Sequence, residues 1–127
     1  MPRIKIETFL QLERSKAHQL MNVTMDAVVA VLELIPDDRT ISFTVHERDF
    51  FTMKPPYEIF IEIALFRGRS HLKKKQLYQT IVQRLFEKCG IEKDRILIML
   101  NEQPRENWGL RGGVPGDEIS FDYRIEV

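Results

Sequence analysis

The chain is short of the residues that build covalent or metal-centred sites. Cys89 is its only cysteine in 127 residues, so no disulfide can form within it, and a reducing cytoplasmic setting is expected. His18, His46 and His71 share no metal-ligand spacing with Cys89 or with one another, so no metal is expected. Net charge is missing too. Nineteen Lys and Arg balance nineteen Asp and Glu, which argues against nucleic acid or an anionic membrane as partner. Long apolar runs are absent: Ala27–Leu32 and Ile96–Leu100 fall far short of the roughly 20 residues that span a bilayer. No basic segment followed by an apolar one opens the chain, so no signal peptide is expected. The glycines of 109–116 are not followed by Gly-Lys-Ser/Thr, and no serine sits in a nucleophile elbow. What remains is 43% apolar and 30% charged. That is a soluble globular composition, long enough for one domain with a real core.

Within that composition a pattern occurs twice. Pro2–Glu7 reads as a strand, with Ile4 and Ile6 on one face and Lys5 on the other. From about Ser15 to Leu34, the residues Leu20, Thr24, Ala27, Val28, Val31 and Leu32 fall on one helical stripe. Pro36 ends that helix, and Ile41–His46 alternates again. The second half reads likewise: a strand over Tyr57–Phe66, an N-cap at Ser70, a stripe of Leu77, Tyr78, Ile81, Val82, Leu85 and Phe86, a stop at Gly90, and a strand over Ile96–Leu100. Cys89 reads as a small buried hydrophobe at the end of the second helix. Both helix-to-strand junctions carry Ile-x-x-Asp-Arg, at Ile35–Arg39 and Ile91–Arg95, 56 residues apart. We read a tandem duplication of a βαβ unit over 1–47 and 57–103, followed by a C-terminal extension over 104–127. The expected architecture is α/β, one four-stranded mixed sheet with both helices on one face. The other face, carrying Phe43, Phe60 or their neighbours, would be bare, so an oligomer is expected. The stretch Glu47–Pro56, with Phe50, Phe51 and Met53, is too apolar for a purely solvated loop. It is expected to pack on a neighbour or to border a site. In the extension, Ile119–Val127 alternates as one more strand.

Few side chains here suggest chemistry. Pro2 directly follows Met1. If Met1 is trimmed, the chain begins with a secondary amine that titrates near neutrality and whose direction the ring fixes. Parallel pairing within a unit brings Asp38 near Pro2. If the two units run opposite ways, Arg67-Gly68-Arg69-Ser70 arrives at the same edge. Arg67 and Arg69, two apart in an extended segment, would point the same way and could clamp a carboxylate. Each has a plainer reading. Asp38 can serve the turn or pair with Arg39, and the arginines can be solvated or salt-bridged. Lys73–Lys75 reads as a solvated face, or as a site for an acidic partner. Trp108, among glycines, reads as interfacial or pocket-lining.

Pro2 before a strand, the duplicated unit, Ile35-Pro-Asp-Asp-Arg39, Arg67-Gly-Arg-Ser70, Cys89-Gly-Ile91 and Asn107-Trp-Gly109 together resemble the tautomerase superfamily, and within it the malonate semialdehyde decarboxylase-like group. The resemblance covers almost the whole chain. It implies a homotrimer in which Pro2 is catalytic, Asp38 assists it, Arg67 and Arg69 bind a substrate carboxylate, and Trp108 walls the pocket. It further implies keto–enol tautomerisation or decarboxylation of a small oxo or enol acid, without a cofactor. A trimeric binding protein of the same fold, without catalysis, is the alternative. The chain departs from the decarboxylase group at Gly68, where that group carries proline, and over Gly112–Asp117.

Overall fold

The structure, a computed structural model, describes residues 2–121. Six strands and two long helices follow in the order β1 (Arg3–Thr8), α1 (Arg14–Leu32), β2 (Ile41–Val45), β3 (Ile59–Phe66), α2 (His71–Cys89), β4 (Ile96–Gln103), β5 (Gly109–Leu110) and β6 (Val114–Pro115), with short 3₁₀ turns between some of them. The main sheet has the order β2-β1-β3-β4, and β5 and β6 form a separate antiparallel ribbon. Each βαβ unit contributes a parallel pair, and the two units meet through antiparallel β1 and β3.

The alternation of each strand decides which side is covered. Ile4 and Ile6 of β1 and Ile59, Ile61, Ile63 and Leu65 of β3 are almost fully buried, and they share one core with both helices. From α1, Leu20, Ala27, Val28 and Leu32 enter that core; from α2, Leu77, Ile81 and Leu85 do. The helical stripes were legible except at one end, where Phe86 is 43% exposed. Among the described residues the other sheet face carries no helix. Its surface is mixed: Lys5, Glu7 and Glu62 occupy the central strands by alternation, beside Phe60, Leu97 and Met99. Phe43 is not there. It packs against the core on the helix side, because β2 begins with Ile41 facing inward.

Local chemistry sets the helix ends. Ser70 caps α2, its Oγ accepting from the Lys73 N–H at 3.1 Å. Gly90 closes α2 with φ 70°, a left-handed conformation that glycine adopts without penalty. Helix α1 starts one residue before the expected Ser15. Its N-cap is Glu13, with no side-chain cap, and its C-cap is Glu33 in a left-handed conformation. The start of α1 also serves the end of α2. Lys16 Nζ donates to the Cys89 carbonyl, and Gln19 Nε2 to that of Lys88 at 2.9 Å, placing donors and a cation at a helix C-terminus.

The extension is more ordered than its glycines suggest. The β5–β6 ribbon lies beyond β4, and Gly116 donates its N–H to the Trp108 carbonyl at 2.8 Å. A side chain at Gly116 would meet the Arg105 carbonyl at 2.5 Å, so only glycine fits. Most of the strand expected over Ile119–Val127 lies outside the described residues, as does Met1. Ile119 is buried, and Phe121 packs against Phe66 with ring centroids 5.1 Å apart.

Candidate functional site

Strand register assembles one end of the sheet. Arg3 pairs with Ala64, and the Ile4 N–H donates to the Thr40 carbonyl at 2.9 Å. Pro2 therefore sits level with the end of β3 on one side and with the turn before β2 on the other. It is buried. That turn carries Asp38, half-buried, whose backbone N–H donates to the Ile35 carbonyl at 3.0 Å. Its carboxylate does not pair with Arg39. Arg39 Nη1 pairs with Asp26 Oδ1 at 2.7 Å, and the Asp38 side chain makes no ion pair among the described residues. Asp94 behaves likewise, since Arg95 pairs with Glu58.

The two arginines separate. Alternation places Arg67 and Arg69 on one side, but β3 ends at Phe66 and Gly68 takes φ 140°, so the extended geometry behind that expectation stops between them. Arg67 is exposed and its backbone N–H donates to the Gln103 carbonyl at 2.9 Å. Arg69 is 6% exposed, with Nη1 donating to the Phe66 carbonyl at 3.1 Å. One guanidinium thus faces solvent, and the other is held inside by the strand end.

Phe66 is the centre of this region. By alternation it lies on the helix-free face, yet it is fully buried, because the extension folds over it. Trp108, half-buried, meets the Phe66 ring edge-on with centroids 5.3 Å apart. Arg105 lies beside them, its guanidinium 5.3 Å from the Phe121 ring and its Nη2 donating to the Ile119 carbonyl at 3.2 Å. Among the described residues, Trp108 Nε1 and Arg105 Nε are buried donors with no acceptor. A buried donor left unpaired costs about 1–3 kcal/mol. Both donors lie beside the end of β3, where a further acceptor would be stabilised. Sequence reading named Trp108 for this wall but passed over Phe66 and Arg105. The double aromatic and basic pattern of Phe66-Arg67 and Arg105–Trp108 was the available signal.

Among the described residues no group of His, Cys, Asp and Glu is placed to hold a metal ion. No helix there is long and apolar enough to cross a membrane. What the Pro2 edge offers is a positioned proline ring, a half-buried carboxylate, an exposed guanidinium and buried donors, the carboxylate without an ion partner and the donors without an acceptor among the described residues.

Comparison with known proteins agrees with this fold. The family described as "Tautomerase enzyme" matches residues 38–111, a span that contains Asp38, Arg67, Arg69 and Trp108 but not Pro2. The 2-hydroxymuconate tautomerase of Pseudomonas putida is 32% identical over 53 residues, which are 42% of this chain and 84% of that protein. That relative is therefore half as long, the size of one βαβ unit with its connection. Among solved structures, malonate semialdehyde decarboxylase superposes with a TM-score of 0.78 at 20% identity, covering 87% of this chain and 92% of that one. A fused 4-OT solved as a symmetric trimer superposes with a TM-score of 0.79 at 14% identity, covering 90% and 95%. The matched span, the doubled βαβ sheet and the shared fold lead to one conclusion: this chain belongs to the tautomerase family.

Proposed function

We propose that the chain is an enzyme acting on a small oxo or enol carboxylic acid, with the amino group of Pro2 as the group that moves the proton. The observation that carries this reading is the register that sets Pro2 between the Asp38 turn and the end of β3. Removal of Met1 creates the amine; with Met1 attached, the Pro2 nitrogen is an amide and has no basicity. As a neutral amine, Pro2 takes the proton from the enol oxygen and returns one to carbon. Alternatively it condenses with a carbonyl, releasing water, to form an iminium that accepts the electron pair left when carbon dioxide departs. Arg67 is the exposed cation for the substrate carboxylate. Arg69 fixes the segment that carries it, and Trp108 walls the pocket. Asp38 orients the proton or a water. The relatives support this reading by their names, a tautomerase and a decarboxylase, and the fused 4-OT trimer supports a trimeric assembly, for which the helix-free sheet face is the surface we assign. The same reading places the protein in the cytoplasm, where its lone thiol stays reduced.

The test is ketonisation of phenylenolpyruvate, followed by ultraviolet absorbance, with mass spectrometry of the same sample to verify that Met1 is gone. Pro2→Ala should lose at least about 100-fold in rate, the scale of a positioned acid or base, with its circular dichroism unchanged. Equal rates in the two proteins would overturn the catalytic role of Pro2 and leave a binding protein of the same fold.

A further inference from the structure

The end of the sheet away from Pro2 holds a cleft that the catalytic reading does not use. Its position follows from the duplication. Ile4 pairs with Ile41 in the first unit and Phe60 with Leu97 in the second, 37 residues apart in each case. The antiparallel ladder of β1 and β3 is compatible with the same exchange. A half-turn that swaps the units therefore carries Pro2 onto Glu58, and Asp38-Arg39 onto Asp94-Arg95. At that place lies a cleft of about 450 Å³, with Phe51, Met53 and Tyr57 among its apolar walls and Arg48, Glu58 and Arg95 as its charged groups. Its volume lies within the range of small-molecule sites.

The charges in the cleft do not cancel. Glu58 Oε1 accepts from Arg95 Nη1 at 2.9 Å, and this hydrogen bond holds the Arg95 guanidinium above its ordinary pKa. Arg48 has no such partner. Its guanidinium lies over the Phe9 ring, 4.1 Å from the centroid, and forms no ion pair among the described residues, although Glu47 and Asp49 flank it in sequence. A guanidinium lying over a ring keeps its N–H edge available for the two oxygens of a carboxylate. The walls are also held in place. The His46 ring stacks on Phe51 with centroids 4.5 Å apart, and His46 Nε2 lies 2.9 Å from Glu7 Oε1. Thr8 Oγ1 donates to the Glu58 carbonyl at 2.7 Å.

We propose that this cleft is a second binding site, for a small monocarboxylic acid with an aromatic or branched apolar body, the carboxylate on Arg48 and the body against Phe51 and Met53. Glu58 stands where the duplication would place the amine. The site therefore binds its ligand without turning it over, and it is independent of the chemistry at Pro2.

Methyl NMR on the full chain, with labelled methionine and phenylacetate as the probe, tests this directly. Met53 is assigned by Met53→Leu. Its signal should shift saturably with phenylacetate and should not respond to 2-phenylethylamine, which has the same ring and the opposite charge. Arg48→Gln should weaken the phenylacetate titration at least about tenfold. Met25, fully buried in the core, should keep its chemical shift in that variant, showing that it is folded, and ketonisation at the Pro2 end should be unchanged. A Met53 signal unmoved by phenylacetate, whether the cleft is unsuited or a second copy of the chain covers it, overturns the proposal. So does equal response to the amine, or an unaltered titration in Arg48→Gln.

Discussion

At the scale of single residues, the candidate site divides into groups that sequence spacing could place and groups it could not. Parallel pairing fixes which strand starts are neighbours, and the register puts Pro2 level with the turn that carries Asp38. The arginine pair was read from alternation, and alternation ends where β3 ends, at Phe66. Their difference in burial has measurable consequences. Arg69→Ala, removing a buried donor from the Phe66 carbonyl, should cost about 1–3 kcal/mol in urea unfolding. Arg67→Ala should leave stability within about 0.5 kcal/mol and raise KM for the oxo acid while kcat changes less. Trp108→Phe retains the ring against Phe66 and removes the indole N–H, which has no acceptor among the described residues. The expected outcome is unchanged or slightly higher stability with weaker substrate binding; a loss of stability without a change in KM would show that the N–H serves the fold. Cys89 belongs to this scale as well. Burial pushes its thiol above the ordinary value, against the opposing pull of Lys16 and Lys88. The folded state thus holds the thiol proton more tightly than the unfolded chain. This contribution is fully present below the unfolded thiol value, near pH 8.5, and is lost as pH rises through the higher folded value. Alkylation by iodoacetamide at pH 8 should accordingly be slower in the native protein than in urea.

At the scale of elements, capping decides what could be read in advance. Ser70 and Gly90 were legible because a hydroxyl and a glycine act through their immediate neighbours. Ser70→Ala should cost about 1 kcal/mol. Gly90→Ala should cost a similar amount, since the left-handed backbone there disfavours a Cβ. The start of α1 was less legible because Glu13 caps it without a side-chain bond. Glu13→Ser should therefore gain about 0.5–1 kcal/mol, and thermal unfolding would register the increase. The β5–β6 ribbon escaped sequence reading for another reason. Two residues per strand are too few to show a period of two, and the glycines that permit its turn, Gly112 and Gly113 with φ 81° and 94°, look the same as those of an irregular loop. The covering of Phe66 by Trp108 and Phe121 was hidden with it.

At the scale of the whole molecule, the doubled unit was legible from one short pattern, Ile-x-x-Asp-Arg, together with two helical stripes, and strand register shows how closely the halves agree. What could not be read was the character of the helix-free face. It mixes Lys5, Glu7 and Glu62 with Phe60, Leu97 and Met99, so an assembly across it would join ion pairs to apolar contacts. Sedimentation at neutral pH should give three times the 15.0 kDa of one chain, and Glu62→Lys should shift the population toward smaller species. The linkage of the two units has a different consequence. Where two identical single units pair about an axis, every substitution is made at both ends of the joined strands at once. Here the two ends are separate positions in one chain, and proline at one end can coexist with glutamate at the other. Fusion releases the sheet from its own symmetry, and each end becomes free to specialise without the consent of its twin.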